Sequence, residues 1–244
     1  MKIFLLKILK YLKKIIEILI LNLYPNVNLP PRRPNNYHRF FEEEVEASYQ
    51  YFKRFFPNCI FLSQKEIRDF AINKSLENIK FTDQLLLEFG VWKGETLNLF
   101  SSKIGDKKIY GFDSFEGLRD NWIGTAALKG EFNVRGLIPK LNKNAIPVKG
   151  WVQDTLPDFL KTKKEKIQFL HMDFDTFESS KFVLSLLKER FQKGTIIIFD
   201  QLYNYSGWKS GEFKALQETL SEEQYRYLAF STDNCQAVIE IIKV

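Results

Sequence analysis

The sequence predicts an α/β fold: a doubly wound, seven-stranded sheet, mostly parallel, with a C-terminal antiparallel hairpin and helices ahead of it. Three observations carry that reading. From Leu85 onward, short apolar runs alternate with segments of helical length, the pattern of βα units. The first five runs each lead into a glycine or an acidic residue, as strands do when they end at a ligand crevice. The last two runs, 224–231 and 235–242, stand too close for a helix between them, so they pair as a hairpin.

The elements follow in order. Residues 2–23 are largely apolar, with Lys7, Lys10, Lys13, Lys14 and Glu17 spaced three or four apart, which puts the charges on one helical face. The stretch between Glu17 and Arg32 is broken by Pro25, Pro30 and Pro31, short of the ~20 apolar residues that span a bilayer. Lysines interrupt the apolar part and no small-x-small cleavage pattern follows, which argues against a signal peptide. Two readings stay open for residues 1–24: a helix lying on an anionic membrane surface, or one docked on protein. Residues 25–36 hold four of the chain's eight prolines and read as a stiff linker. Residues 37–80 are a helical lead-in: an aromatic amphipathic helix over 37–56 stopped by Pro57, then a helix from Ser63, whose capping box closes on Glu66. The domain proper is 81–244. Its strands are expected at 85–89, 108–113, 145–149, 167–173, 194–200, 224–231 and 235–242, and its helices at 94–104, 155–163, 176–191 and 209–220.

Charge is unevenly placed. Eight basic residues against Glu17 give residues 1–39 a charge of +7, leaving −1 on the rest of a chain whose total is +6. The basic character belongs to the tail, which argues against a nucleic-acid groove on the body. Cys59 and Cys235 form neither a disulfide framework nor a zinc spacing and read as reduced thiols in a cytoplasmic protein.

The strand ends hold the chemistry. Leu85-Leu-Leu-Glu88-Phe-Gly90-Val-Trp92-Lys-Gly94 is a buried strand running into a glycine turn, suited to a nucleoside-type ligand near the main chain. Asp113 closes the second strand about 20 residues beyond the first glycine, where such folds bind a ribose diol. A carboxylate there can accept from both hydroxyls; a turn or helix cap by Asp113 or Ser114 is the plainer alternative. After the third strand, Trp151 and Asp154 suit an adenine ring and its amino group, although Asp154 can equally cap the next helix. Asp173 and Asp200 close the fourth and fifth strands after strongly apolar runs, where carboxylates are costly unless paired or bound to a cation such as Mg²⁺ or Ca²⁺. Period two places His171, Asp173 and Asp175 on one side, with Asp175 read as a helix cap.

As a set, Glu88-Phe-Gly-Val-Trp-Lys-Gly94, Asp113-Ser-Phe-Glu-Gly-Leu118, Gly150-Trp-Val-Gln-Asp-Thr-Leu-Pro157, His171-Met-Asp-Phe-Asp175 and Gly194-Thr-Ile-Ile-Ile-Phe-Asp200 resemble the class I S-adenosylmethionine-dependent methyltransferases, in particular the macrocin O-methyltransferase-like family. The resemblance spans about residues 80–242 and implies a Rossmann-like transferase with S-adenosylmethionine as cofactor. It implies Glu88, Gly90, Trp92 and Gly94 around the methionine part, Asp113 and Ser114 on the ribose, and Trp151 with Asp154 at the adenine. It also implies magnesium held by Asp173, Asp200 and Gln201, with Gln201 standing where relatives usually carry an acidic residue. Asp173 or His171 is expected to take the acceptor's proton. Tyr203, Tyr205 and Trp208, with Trp122, Phe132 and Arg135, read as a lid over the acceptor or as loop packing.

The expected reaction is O-methylation of a sugar or related glycan hydroxyl. Expected partners are that acceptor, a peripheral contact with the inner membrane face through residues 1–24, and a further copy of the chain, with no nucleic acid. Two other readings compete: a noncatalytic S-adenosylmethionine-binding module, and a nicotinamide-dependent oxidoreductase, which the Gly90-x-x-x-Gly94 spacing disfavours.

Overall fold

The structure is a computed structural model that describes Leu12 and residues 35–77 and 84–244. The expected tail helix 1–24 and linker 25–36 lie, but for Leu12, Asn35 and Asn36, outside the described residues. No described helix is long and apolar enough to cross a membrane. Contacts divide the chain at Tyr37 into residues 1–37 and 38–244. The second unit takes in the helical lead-in together with the sheet.

The elements are α1 (Asn36–Phe52), β1 (Ile60–Leu62), α2 (Gln64–Leu76), β2 (Leu85–Phe89), α3 (Glu95–Lys103), β3 (Ile109–Asp113), β4 (Ala145–Lys149), α4 (Val152–Thr162), β5 (Ile167–Met172), α5 (Phe177–Leu187), β6 (Ile196–Phe199), α6 (Glu212–Thr219), β7 (Tyr225–Ser231) and β8 (Ala237–Ile241). They build one sheet of eight strands in the order β1-β7-β8-β6-β5-β2-β3-β4. β8 runs antiparallel to both β6 and β7, and the other pairings are parallel. The expected seven strands are all present. The eighth, β1, corrects the count: three residues, with Ile60 paired to Ala229 at the sheet edge, are too few to show a period.

Period two sorts the side chains into two cores. Leu85, Leu87 and Phe89 face the layer formed by α1, α4, α5 and α6, whereas Leu86 faces α2 and α3 with Ile67, Leu97 and Phe100. Ser63 starts α2 through the expected capping box, its side chain accepting from Glu66 N–H while the Glu66 carboxylate accepts from Ser63 N–H at 2.9 Å. β2 and β5 lie side by side, with β3 and β4 beyond one and β6 beyond the other. That is the topological switch point, where the loops leaving β2 and β5 part and open a crevice.

The lead-in helix is part of this body. Phe52 at the end of α1 is fully buried, edge-on to Tyr203 at 5.5 Å, Phe213 at 5.5 Å and Phe230 at 5.6 Å. Trp208 Nε1 donates to the Glu44 carbonyl at 3.0 Å. Tyr203 and Trp208 therefore belong to the core, not to a lid. Phe52→Ala should destabilise the fold by about 3–5 kcal/mol, read as a shift in the urea midpoint; a loss below about 1 kcal/mol would show that α1 is only laid on the surface.

Candidate active site

The loops at the switch point line a cavity of about 610 Å³, within the roughly 300–1,000 Å³ of small-molecule sites. Of the residues singled out in the sequence, Gly90, Trp92, Asp113, Ser114, Trp151, Asp173, Asp200 and Gln201 line it. Glu88, Gly94, Asp154 and His171 do not.

At one end the main chain is drawn in tightly. Gly90 has φ +92°, and a Cβ there would stand 1.9 Å from the Asp173 carbonyl oxygen, so only glycine lets the first loop pass the end of β5. Asp113 reaches across from β3: its Oδ2 accepts from Val91 N–H at 2.8 Å and Trp92 N–H at 2.7 Å, and its Oδ1 from Phe115 N–H at 2.6 Å. Three of about four acceptor positions of a carboxylate are thus filled, which leaves room for one ligand hydroxyl, where the sequence reading allowed two. Ser114 Oγ accepts from Glu116 N–H and keeps its own proton to donate.

Gly94 corrects the expectation differently. With φ +77° it is the N-cap of α3, and its missing Cβ makes room for Leu141 and Pro139. Asp154 is also displaced from its expected role: it is exposed in the first turn of α4, where an acid suits the helix dipole. Its neighbour Gln153 lines the cavity instead, with Oε1 buried and unpartnered. An orphaned carbonyl oxygen beside Trp151 suits an amino group such as that of adenine, so the cradle fits a nucleoside.

Glu88 and His171 are corrected by strand parity. They sit opposite each other in the β2–β5 register, on the face under α3, both with no exposure. Glu88 Oε1 accepts from Thr96 Oγ1 at 2.8 Å. The His171 ring stands between Glu88 Oε2, 3.5 Å from Nδ1, and Asp200 Oδ1, 3.7 Å from Nε2. Burial, the largest single influence, favours the neutral imidazole, but the carboxylates of Asp200 and Glu88 outweigh it and push its pKa up to about 10. A charged, inaccessible ring cannot take a substrate proton. His171 bridges Glu88 and Asp200 and does not line the cavity.

Asp200 has the opposite fate. Burial alone would raise its pKa; His171 and Arg68 hold it down to about 2. Its Oδ1 accepts from Arg68 Nη2 at 2.9 Å and from Gln236 Nε2, and its Oδ2 from Gln201 Nε2 at 2.7 Å. The same Gln201 amide reaches Asp173 Oδ1 at 3.3 Å. His171, Asp173 and Asp200 each bring a ligand atom within 4.8 Å of the others, close enough to hold a cation. The donors on Asp200 crowd such an ion: three of its about four acceptor positions already take protein N–H groups, and one of these comes from a guanidinium that stays charged. Magnesium at Asp173, Asp200 and Gln201 therefore stands as an expectation, with Asp200 already crowded by protein donors.

Asp173 borders the cavity with fewer partners. Burial, then the nearby Asp200, raises its pKa to about 7. Asp175 went unrecognised as a site residue. The helix cap is Thr176, while Asp175 is buried, has φ +60° and lines the cavity. A strained aspartate in the left-handed region is a mark of a functional position. The signal in the sequence was its spacing of two from Asp173. Burial and Asp173 together raise its pKa well above the usual range.

Residues 87–202 match a family described as methyltransferase domain. The matched segment, just under half of the chain, is similar to that methyltransferase family. The fold is similar to that of the calicheamicin methyltransferase CalS11, with 21% identity, 91% of this chain and 89% of that chain covered, and a TM-score of 0.60. The apo structure of CalS11, described as a TDP-rhamnose 3'-O-methyltransferase, gives 20% identity, 91% coverage of both chains and a TM-score of 0.54. The O-methyltransferase NovP gives 20% identity, 73% and 79% coverage, and a TM-score of 0.51. At these identities the likeness shows the fold alone. No curated protein matches the chain. The methyltransferase family match sets aside the nicotinamide reading.

For this methyltransferase, Gln153→Ala should weaken S-adenosylmethionine binding by about tenfold, the scale of one lost buried hydrogen bond. Asp154→Ala should leave affinity unchanged. Calorimetry on both variants decides between the two neighbours, and the reverse pattern would restore Asp154.

Proposed function

We propose that the chain transfers the methyl group of S-adenosylmethionine to a hydroxyl of a sugar or related glycan. The observation that carries this reading is a set of polar atoms on cavity-lining residues: Arg68 Nε and Gln201 Oε1 are buried without hydrogen-bond partners, and the buried Trp122 Nε1 and Tyr205 Oη have no partner beyond each other. Orphaned polar atoms are rare in folded proteins and costly to leave. Donors and acceptors gathered in one wall suit a polyhydroxyl molecule, each hydroxyl both giving and accepting. CalS11, described as acting on TDP-rhamnose, shares the fold and supports a sugar as acceptor.

Gly90, Asp113, Ser114, Trp151 and Gln153 would hold the cofactor. When bound, it supplies an electrophilic methyl whose bond to sulfur breaks, leaving the electron pair on sulfur, as the bond to the acceptor oxygen forms. Placing the two reactants together in a closed cavity accounts for much of the rate. Asp173 receives the hydroxyl proton: it faces the cavity, unlike His171, and Asp200 is tied up by Arg68, Gln201 and Gln236. A noncatalytic module would have no use for a carboxyl that faces the cavity with a single amide as its side-chain partner. The +7 tail is suited to an anionic membrane, where a lipid-linked glycan would be met.

The test is methyl transfer from labelled S-adenosylmethionine to a panel of nucleotide-linked and lipid-linked sugars. Asp173→Ala should lose transfer by at least about a hundredfold and keep cofactor affinity. Full activity in that variant would remove Asp173 from the mechanism, and methylation confined to amines or carbon acceptors would remove the sugar reading.

A further inference from the structure

We propose that Arg68, paired with Gln201, takes the part that a divalent cation would play at the acceptor, so that this chain transfers methyl groups without a metal; the proposal rests on the transfer reading above. Arg68 stands on α2, outside the family-matched stretch 87–202, and brings its guanidinium to the mouth of the carboxylate cluster, Nη2 2.9 Å from Asp200 Oδ1.

Four observations converge. First, three of about four acceptor positions on Asp200 are filled, Oδ1 by Arg68 and Gln236 and Oδ2 by Gln201. A hard dication needs those lone pairs, along with several further oxygens. Second, the guanidinium cannot lose its proton, so an incoming dication would meet a fixed like charge. Third, Gln201 supplies a neutral amide at the position next to Asp200, and its N–H group spans Asp200 and Asp173 at 2.7 and 3.3 Å, binding them together as a bridging cation would. Fourth, the atoms left over are one donor and one acceptor: Arg68 Nε and Gln201 Oε1 are both buried without partners on cavity-lining residues. A substrate diol satisfies both, one hydroxyl oxygen accepting from Arg68 and its neighbour donating to Gln201.

The reacting oxygen then loses its proton to Asp173 and forms the bond to the methyl carbon as the carbon–sulfur bond breaks onto sulfur. Arg68 stabilises the negative charge that builds on that oxygen, as a fixed donor prepared in advance.

The wild-type protein, saturated with S-adenosylhomocysteine, is titrated with Mg²⁺ and with Mn²⁺ by calorimetry, and turnover is measured with and without EDTA. No binding heat and unchanged turnover are expected. Arg68→Met should lower kcat by about a hundredfold with S-adenosylhomocysteine affinity nearly unchanged, and Arg68→Lys should recover part of the loss. The double variant Arg68→Met, Gln201→Asp should gain Mn²⁺ binding. Stoichiometric Mg²⁺ binding by the wild type, or turnover lost in EDTA and restored by Mg²⁺, overturns the proposal, as does an Arg68→Met enzyme of normal kcat. Should Arg68→Met fail to fold, the wild-type titrations and Arg68→Lys decide. Should the wild type bind the cofactor yet methylate no sugar, the transfer reading has failed, and the metal titration alone decides this one.

Discussion

Everything at the acceptor end depends on a row of alternating charges buried across the sheet. Glu88 on β2, His171 on β5 and Asp200 at the end of β6 stand side by side, and Arg68 on α2 completes the row. Isolated charges in such a place would be prohibitive, and removing one partner from a buried ion pair commonly costs about 3–5 kcal/mol. The acidic and basic side chains alternate along the row, so each has an oppositely charged type of neighbour. The row also ties α2 to three strands. The residues beside it lack such pairing: Asp173, Asp175 and Glu212 have no cation of their own, and burial raises the pKa of each. Of the three, Asp173 stays nearest neutrality, which makes it a reversible acceptor of protons.

The donor end is held by a different device. A carboxylate at the tip of β3 gathers N–H groups from the loop after β2, so two strand ends are fixed by one side chain. Gly90 passes so near Asp173 that the loop after β2 and the end of β5 cannot move independently. The spacing of these two segments is thereby built into main-chain packing, which varies less than side-chain rotamers do.

The fold was legible because apolar runs, glycine turns and spacing all speak to backbone geometry. Asp113, Trp151, Asp173 and Asp200 were legible for a related reason: a residue that ends a strand in a doubly wound sheet has one place to be. What the sequence could not say was parity. Period two states that Glu88 shares a face with Leu86, not that this face lies under α3 instead of toward the crevice. The same ambiguity exchanged Asp154 for Gln153, adjacent residues at a helix start where one position turns a side chain by about 100°. β1 was too short to carry a pattern, and Asp175 was assigned to a cap that Thr176 fills. Arg68 was invisible for another reason. Its helix reads only as a capped part of the lead-in, and only the tertiary fold brings position 68 to position 200.

That last point bears on how the cavity divides its work. The loops that would cradle the donor, from Gly90 to Gln153, all lie within the stretch that matches the methyltransferase family. Much of the opposite wall comes from outside it: Gln64 and Arg68 on α2, Tyr205 after β6, and Asn234 and Cys235 in the β7–β8 turn. A donor site must keep one shape whatever is methylated, whereas an acceptor wall must change with each acceptor. Drawing the second wall from flanking elements lets it vary without disturbing the first. The charge row is where the two meet, since Glu88 and His171 lie inside the matched stretch and Arg68 outside it. A change at Arg68 therefore alters both the acceptor's surroundings and the electrostatic balance that keeps Asp200 ionised. That coupling is a physical reason for the acceptor wall to carry its own cation, already paired, in place of one recruited from solution.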